Sequence, residues 1–342
     1  MGGARRQRWR SLPERRSPAF SEVKGEGGER VDLLSRYHGA IFGLAVGDAL
    51  GASIEFGVYP NYHPVFDLIG GGPHALEPGQ WTDDTSMALC LADSLLAQPG
   101  FDAEDQLRRY VRWMREGYRS STGVCFDIGN TVLDALRRFE RDPAPDCGSE
   151  DPRSAGNGSI MRLCPVPLYF RRDPLAAIAR SEESSRTTHA ARTCIDACRY
   201  LGGLIVGALE GRSKEELLSP SFSPVPGLYD AQPLCVEILR VAQGSYRERR
   251  PPREIKGSGY VVESLEAALW AFHHGATFLG GLYLAVNLGD DADTTGAVYG
   301  QLAGAFYGVE EIPPDFRQRV AQWADLAQVA DDLYAASQNR AG

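Results

Sequence analysis

The stretch Gly39-Ala40-Ile41-Phe42-Gly43-Leu44-Ala45-Val46-Gly47-Asp48-Ala49-Leu50-Gly51 carries a glycine at every fourth position. Near the other end of the chain, Gly296, Gly300, Gly304 and Gly308 repeat the pattern within an equally apolar run. A spacing of four places each set on one face of a helix. Glycine inside a helix costs about 1 kcal/mol relative to alanine, so two such stripes need a compensating gain. Absent side chains let a second backbone come close, and a tight crossing of these two helices would supply it.

The rest of the chain follows the same period. Apolar residues recur at helical spacing over 31–50, 84–97, 103–116, 128–140, 174–180, 188–210, 260–285 and 294–307. In the last segment Phe316, Val320, Trp323, Ala327, Ala330 and Tyr334 read as one continuous helix. Alternating strand patterns are nearly absent. Gly-, Pro- and Ser-rich breaks fall at 57–80, 141–158, 219–227 and 250–259, but none separates two independent cores. The expected fold is all-α, a single compact multi-helix bundle over residues 31–342.

The chain has 342 residues, is 43% hydrophobic and 24% charged, and carries a formal net charge of -9. That composition excludes a disordered or fibrous protein, and the acidic balance argues against nucleic acid as a partner. No apolar run approaches the roughly 20 residues that cross a bilayer, so no membrane association is expected. Residues 1–30 differ: eight Arg/Lys against four Glu give them a net charge of +4. This leader lacks a helical period and reads as a disordered extension. No apolar core follows its arginines, and acids and prolines interrupt any transit-peptide pattern. The seven cysteines are odd in number and form no Cys-x-x-Cys pair, which reads as reduced thiols in a cytoplasmic protein.

Two acidic loops carry the chemistry. Gly79-Gln80-Trp81-Thr82-Asp83-Asp84-Thr85-Ser86 opens one helix, and Gly289-Asp290-Asp291-Ala292-Asp293-Thr294-Thr295-Gly296 opens the second glycine-striped helix. Thr and Asp cap helices well, and one acid in a first turn needs no other reason. Five carboxylates beside two closely crossing helices exceed that need, because clustered carboxylates repel unless a cation neutralises them. Oxygen-only ligands suit Mg²⁺ or Mn²⁺ rather than zinc. Two loops, each with an Asp pair and a Thr, fit two ions.

With these loops, four further segments complete a pattern. They are Gly47-Asp48-Ala49-Leu50-Gly51-Ala52 with Glu55, Cys125-Phe126-Asp127-Ile128-Gly129-Asn130-Thr131, Gly156-Asn157-Gly158-Ser159-Ile160-Met161-Arg162, and Gly257-Ser258-Gly259-Tyr260-Val261-Val262-Glu263. In this order they resemble the ADP-ribosylglycohydrolase family, and more narrowly its dinitrogenase-reductase-activating-glycohydrolase branch, from about Tyr37 to Leu333.

The resemblance implies an all-α bundle with a binuclear Mg²⁺ or Mn²⁺ centre that cleaves ADP-ribose from an acceptor. Carried over, Thr82, Asp83, Asp84, Asp291, Asp293 and Thr294 are the metal ligands, with Asp290 behind them. Glu55 is the candidate for activating water. Asp127 is the candidate for contacting an arginine guanidinium, unless it merely caps the helix expected from Ile128. Gly156, Asn157, Gly158 and Ser159, read as a loop entering a helix, would receive the pyrophosphate. His189 and Tyr260 would lie beside the ligand, although a capping histidine and a core tyrosine serve as well.

The implied activity is metal-dependent hydrolysis of the N-glycosidic bond of ADP-ribosyl-arginine on a protein. Other acceptors, namely serine, a nucleobase or a small molecule, remain open. So does an immunity protein that counters a toxin ADP-ribosyltransferase, by de-modification or by occlusion through an N-terminal arm.

Overall fold

The computed structural model describes residues 31–58, 61–97 and 100–339. The basic leader, with the docking-arm reading attached to it, lies outside the described residues. The α-helices run in order α1 (Leu33–Gly51), α2 (Asp83–Ala97), α3 (Ala103–Glu116), α4 (Asn130–Arg141), α5 (Pro165–Tyr169), α6 (Pro174–Arg186) and α7 (Arg192–Leu209). Three short helices follow: α8 (Lys214–Leu217), α9 (Leu228–Ala231) and α10 (Val236–Ala242). The chain closes with α11 (Val261–His274), α12 (Phe278–Val286), α13 (Ala292–Tyr307), α14 (Pro314–Arg319) and α15 (Trp323–Asn339). Among the described residues only isolated β-bridges occur, so the fold is all-α.

The glycine stripes meet as expected. Helices α1 and α13 run antiparallel with Gly39 against Gly304, Gly43 against Gly300 and Gly47 against Gly296. A Cβ on any of these would fall on the facing carbonyl oxygen. Helix α1 is apolar nearly all round and is buried from Gly39 to Gly51, the pattern of a central helix. Helices α3 and α4, by contrast, bury one face each, through Leu107, Tyr110 and Trp113, and through Val132, Leu136 and Phe139. All seven cysteines are free.

Three segments depart from the periodicity. The final run is broken: α14 ends at Arg319, Gln322 takes a left-handed φ of 49°, and the Ala321 amide donates to the Gly79 carbonyl at 2.8 Å. That bond anchors the approach to Thr82. The run 260–285 divides at Gly275, which packs against Gly281, and Thr277 caps the new helix by accepting from the Gly280 amide at 3.0 Å. The run expected from 188 begins only at Arg192. The His189 and Ala190 amides instead bond the carbonyls of Ser185 and Ser149 at 2.7 and 3.0 Å.

Candidate active site

The α1–α13 crossing carries the acidic loops to one end of the bundle. Asp48, fully buried in α1, accepts four hydrogen bonds. Its Oδ1 takes the Thr82 amide at 2.8 Å and the Thr82 hydroxyl at 2.9 Å. Its Oδ2 takes the Thr85 amide at 3.0 Å and the Thr85 hydroxyl at 2.6 Å. This side chain therefore fixes the start of α2, which holds Asp83 and Asp84. Sequence reasoning gave Asp48 no role. The available signal was a lone acid in an otherwise apolar helix face.

Carboxylate oxygens of Asp48, Asp84 and Asp293 lie within 4.8 Å of one another, all buried. Thr82 Oγ1 sits among them, 2.9 Å from Asp48, 3.0 Å from Asp84 and 3.2 Å from Asp293. One hydroxyl proton cannot satisfy three carboxylates. Asp84 Oδ1 and Asp293 Oδ1 are buried without a hydrogen-bond partner. Burial first, then the neighbouring carboxylates, raises the pKa of Asp83, Asp84 and Asp293 well above the usual carboxylate range. Orphaned oxygens and crowded negative charge are what an oxygen-coordinated divalent cation would relieve, so the donor set fits Mg²⁺ or Mn²⁺.

Next to this cluster, with the lining residue Thr294 placing its Oγ1 3.5 Å from Asp84, opens a cleft of about 340 Å³. Glu55, Asp83, Asp127, Asp291 and Thr294 line it together with Gly156, Asn157, Gly158 and His189. Asp291 is held by the Asn157 Nδ2, which donates to its Oδ2 at 2.8 Å. Glu55 follows a single 3₁₀ turn, Ala52–Ile54, and is buried rather than a surface acid. Burial, then Asp127, Asp291 and Asp48, push Glu55 up to about 9. Burial, Asp291 and Asp48 push Asp127 up to about 7.

Asp127 does not cap a helix. Helix α4 starts at Asn130 with Gly129 as its cap, and Asp127 takes a left-handed φ of 54° that aims it into the cleft. Asp290, at φ 60°, is exposed and bridges to Gly57 instead of joining the buried cluster.

The Gly156–Ser159 segment differs from expectation. It continues as turns, and the next helix starts only at Pro165. The amides of Gly156 and Asn157 are spent on the Ser154 and Gly259 carbonyls at 2.8 and 3.0 Å. An amide cradle at a helix N-terminus is therefore replaced by an open turn. Arg162 supports it from below, fully buried, donating to the Gly158 carbonyl at 2.8 Å and to Thr188 Oγ1 at 2.6 Å. Ser159 is turned inward away from the cleft, while Tyr260, 40% exposed, caps α11 beside Gly259 at the rim.

His189 lies in the turn between α6 and α7, with Nδ1 2.9 Å from Thr188 Oγ1. Burial, then the Arg162 charge, pushes it down to about 3 from 6.5. The unfolded chain binds this proton below 6.5, whereas the folded one waits until about 3. Stability is therefore lost as pH falls through that window, at up to about 1.4 kcal/mol per pH unit. The variant His189→Asn is expected to lose stability less steeply on acidification than the wild type, read as urea midpoints at about pH 7, 6 and 5. Parallel slopes in the two proteins would contradict this.

An all-α protein whose chemistry is concentrated in one carboxylate-lined cleft is the class that fold and site define. The sequence model for ADP-ribosylglycohydrolase matches residues 29–342, and the chain belongs to that family. It is similar to the ADP-ribosylarginine hydrolase Tri1 of Serratia proteamaculans (strain 568), 40% identical over 303 residues covering 89% of this chain and 80% of that protein. The Pseudomonas putida (strain GB-1) protein of the same name is 42% identical, covering 88% and 78%. The ADP-ribosyl-[dinitrogen reductase] glycohydrolase of Rhodospirillum rubrum is 33% identical, covering 80% and 86%. A solved structure described as an ADP-ribosylglycohydrolase-related protein complex superposes with a TM-score of 0.78 at 42% identity, covering 89% of this chain and 99% of that one. The protein is thus a hydrolase with ADP-ribosylhydrolase activity. No helix among the described residues is long and apolar enough to cross a membrane.

Proposed function

We propose that this enzyme hydrolyses the N-glycosidic bond between ADP-ribose and arginine on a modified protein, reversing mono-ADP-ribosylation, with two divalent cations, Mg²⁺ or Mn²⁺, held by the acidic loops. The observation that carries the acceptor is Asp127, a carboxylate strained into the cleft beside Glu55 with no helix to cap. A carboxylate takes a guanidinium through two parallel hydrogen bonds, which serine cannot offer. The names of the Serratia and Pseudomonas relatives support the same acceptor.

Thr82, Asp83, Asp84, Asp291, Asp293 and Thr294 would hold the cations, with Asp48 bracing the first loop. When bound, the cations supply positive charge that orients ribose hydroxyls and offsets the buried acids. Glu55, relieved of its neighbours' negative charge, is the base that takes a proton from the attacking water. Asn157 fixes Asp291, and Gly156, Gly158 and His189 shape the wall that receives the remainder of ADP-ribose. Ser159 and Tyr260 would act from behind and above that wall. The toxin-docking reading of residues 1–30 rests on their charge alone.

The test is release of ADP-ribose from arginine-modified protein with Mg²⁺ or Mn²⁺, beside a serine-modified substrate and an EDTA blank. Metal-dependent release from arginine alone is expected. Asp127→Asn should cost about 2–5 kcal/mol of transition-state stabilisation, read from the fall in kcat/KM on arginine, the range for removing one side of a desolvated charge pair. Equal release from serine would discard the specificity argument while keeping the metal site.

A further inference from the structure

Apart from the Asp48–Asp84–Asp293 cluster, a second group of ligating atoms converges where Glu55 and Asp127 line the cleft. Carboxylate oxygens of Glu55 and Asp127 and a ring nitrogen of His74 lie within 4.8 Å of one another. His74 Nε2 is 3.3 Å from Glu55 Oε2 and 3.2 Å from Asp127 Oδ1. Neither approach has hydrogen-bond geometry, and both Glu55 Oε2 and His74 Nε2 are buried with no hydrogen-bond partner. The Glu55 side chain is only 3% exposed. Two acids facing an unpartnered imidazole nitrogen at these distances are poorly explained as a hydrogen-bonded triad.

The distances fit another arrangement. Zinc–nitrogen and zinc–oxygen bonds of about 2.0–2.2 Å set neighbouring ligands of a tetrahedron about 3.3–3.5 Å apart. The observed 3.2 and 3.3 Å are near that edge. Neutral imidazole with two carboxylates balances a dication, and the nitrogen donor favours zinc over magnesium. The backbone also builds the site. Gly72, at φ 66°, has no room for a Cβ because the Ala52 carbonyl lies there, and this close approach brings the loop carrying His74 over Glu55. The Phe126 ring, with its centroid 5.2 Å from that of His74, limits the tilt of the imidazole. His74 is 23% and Asp127 17% exposed at the side chain, so solvent reaches the cluster to deliver the ion and a fourth ligand.

We propose that Glu55, His74 and Asp127 form a zinc site distinct from the cation centre at Asp48, Asp84 and Asp293. Zinc bound here occupies the carboxylates assigned above to water and guanidinium, so it blocks the reaction in the cleft. The inference rests on that reading only for this inhibitory consequence. The binding itself stands on geometry.

The experiment titrates Zn²⁺ into the full-length, Mg²⁺-saturated protein by calorimetry and repeats the titration with Co²⁺ under visible absorption. Four-coordinate cobalt with a nitrogen ligand absorbs strongly, whereas six-coordinate cobalt among oxygens absorbs weakly. The wild type is expected to show one zinc-binding event per chain and a strong cobalt band. His74→Ala is expected to weaken that event more than about 100-fold and remove the band, because losing a direct ligand exceeds the loss from an outer partner. Asp84→Asn, in the other cluster, should leave both in place. Equal zinc affinity in wild type and His74→Ala overturns the proposal. So does a weak, six-coordinate cobalt spectrum in the wild type, a readout independent of any variant's folding. Neither readout uses hydrolysis, so failure here leaves the arginine reading intact.

Discussion

Gly43→Val is expected to prevent accumulation of folded protein. At this position a Cβ would fall on the Gly300 carbonyl oxygen, and one on Gly300 would fall on the Gly43 carbonyl. The clash is with backbone, so no rotamer relieves it. The helices can only separate, which opens the Gly39–Gly304 and Gly47–Gly296 contacts on either side. Overpacking a core with a flexible neighbour costs about 1–3 kcal/mol. A clash with fixed backbone exceeds that range and consumes much of a stability of about 5–15 kcal/mol. Gly129→Ala serves as control, since nothing lies within 4 Å of its added methyl. Denaturant midpoints decide the matter. A Gly43→Val midpoint close to that of the control would show that the crossing is looser than described.

Asp293→Asn is expected to cut turnover by at least about 10²-fold, since even outer partners of a metal site are worth about 10–100-fold. The replacement keeps the shape of the side chain and removes its charge. Asp293 is buried beside Asp84 and Thr82, its Oδ1 has no partner, and burial with Glu55 and Asp84 disfavours its charged form. In EDTA the variant should therefore be at least as stable as the wild type, because a repelling buried charge has gone. Loss of activity together with retained or increased metal-free stability separates a ligand from a structural acid. Full turnover by the variant would remove the cation centre from the reaction.

Much of this was legible because it is local or periodic. The glycine stripes state their own geometry: spacing by four sets the face, and the cost of glycine demands a close partner. That the loops carrying Asp83, Asp84, Asp291 and Asp293 gather their acids at one place was legible because the density of carboxylates exceeds what caps require. The break between α14 and α15 was not, since it depends on the Ala321 amide reaching Gly79, 242 positions away in sequence. The same holds for the turn after Ser159, where Asn157 bonds Gly259 instead of entering a helix.

By itself, then, the sequence determined an all-helical bundle, a paired central crossing and two acidic loops joined to it, because periodicity and charge density are properties of neighbouring residues. Tertiary structure alone decided which acids converge. It buried Asp48 under Thr82 and Thr85, turned Asp290 out to solvent, aimed Asp127 into the cleft through a left-handed backbone, and carried His74 over Glu55. Those placements depend on hydrogen bonds and steric contacts between distant segments, which exist only once the α1–α13 crossing has brought their ends together.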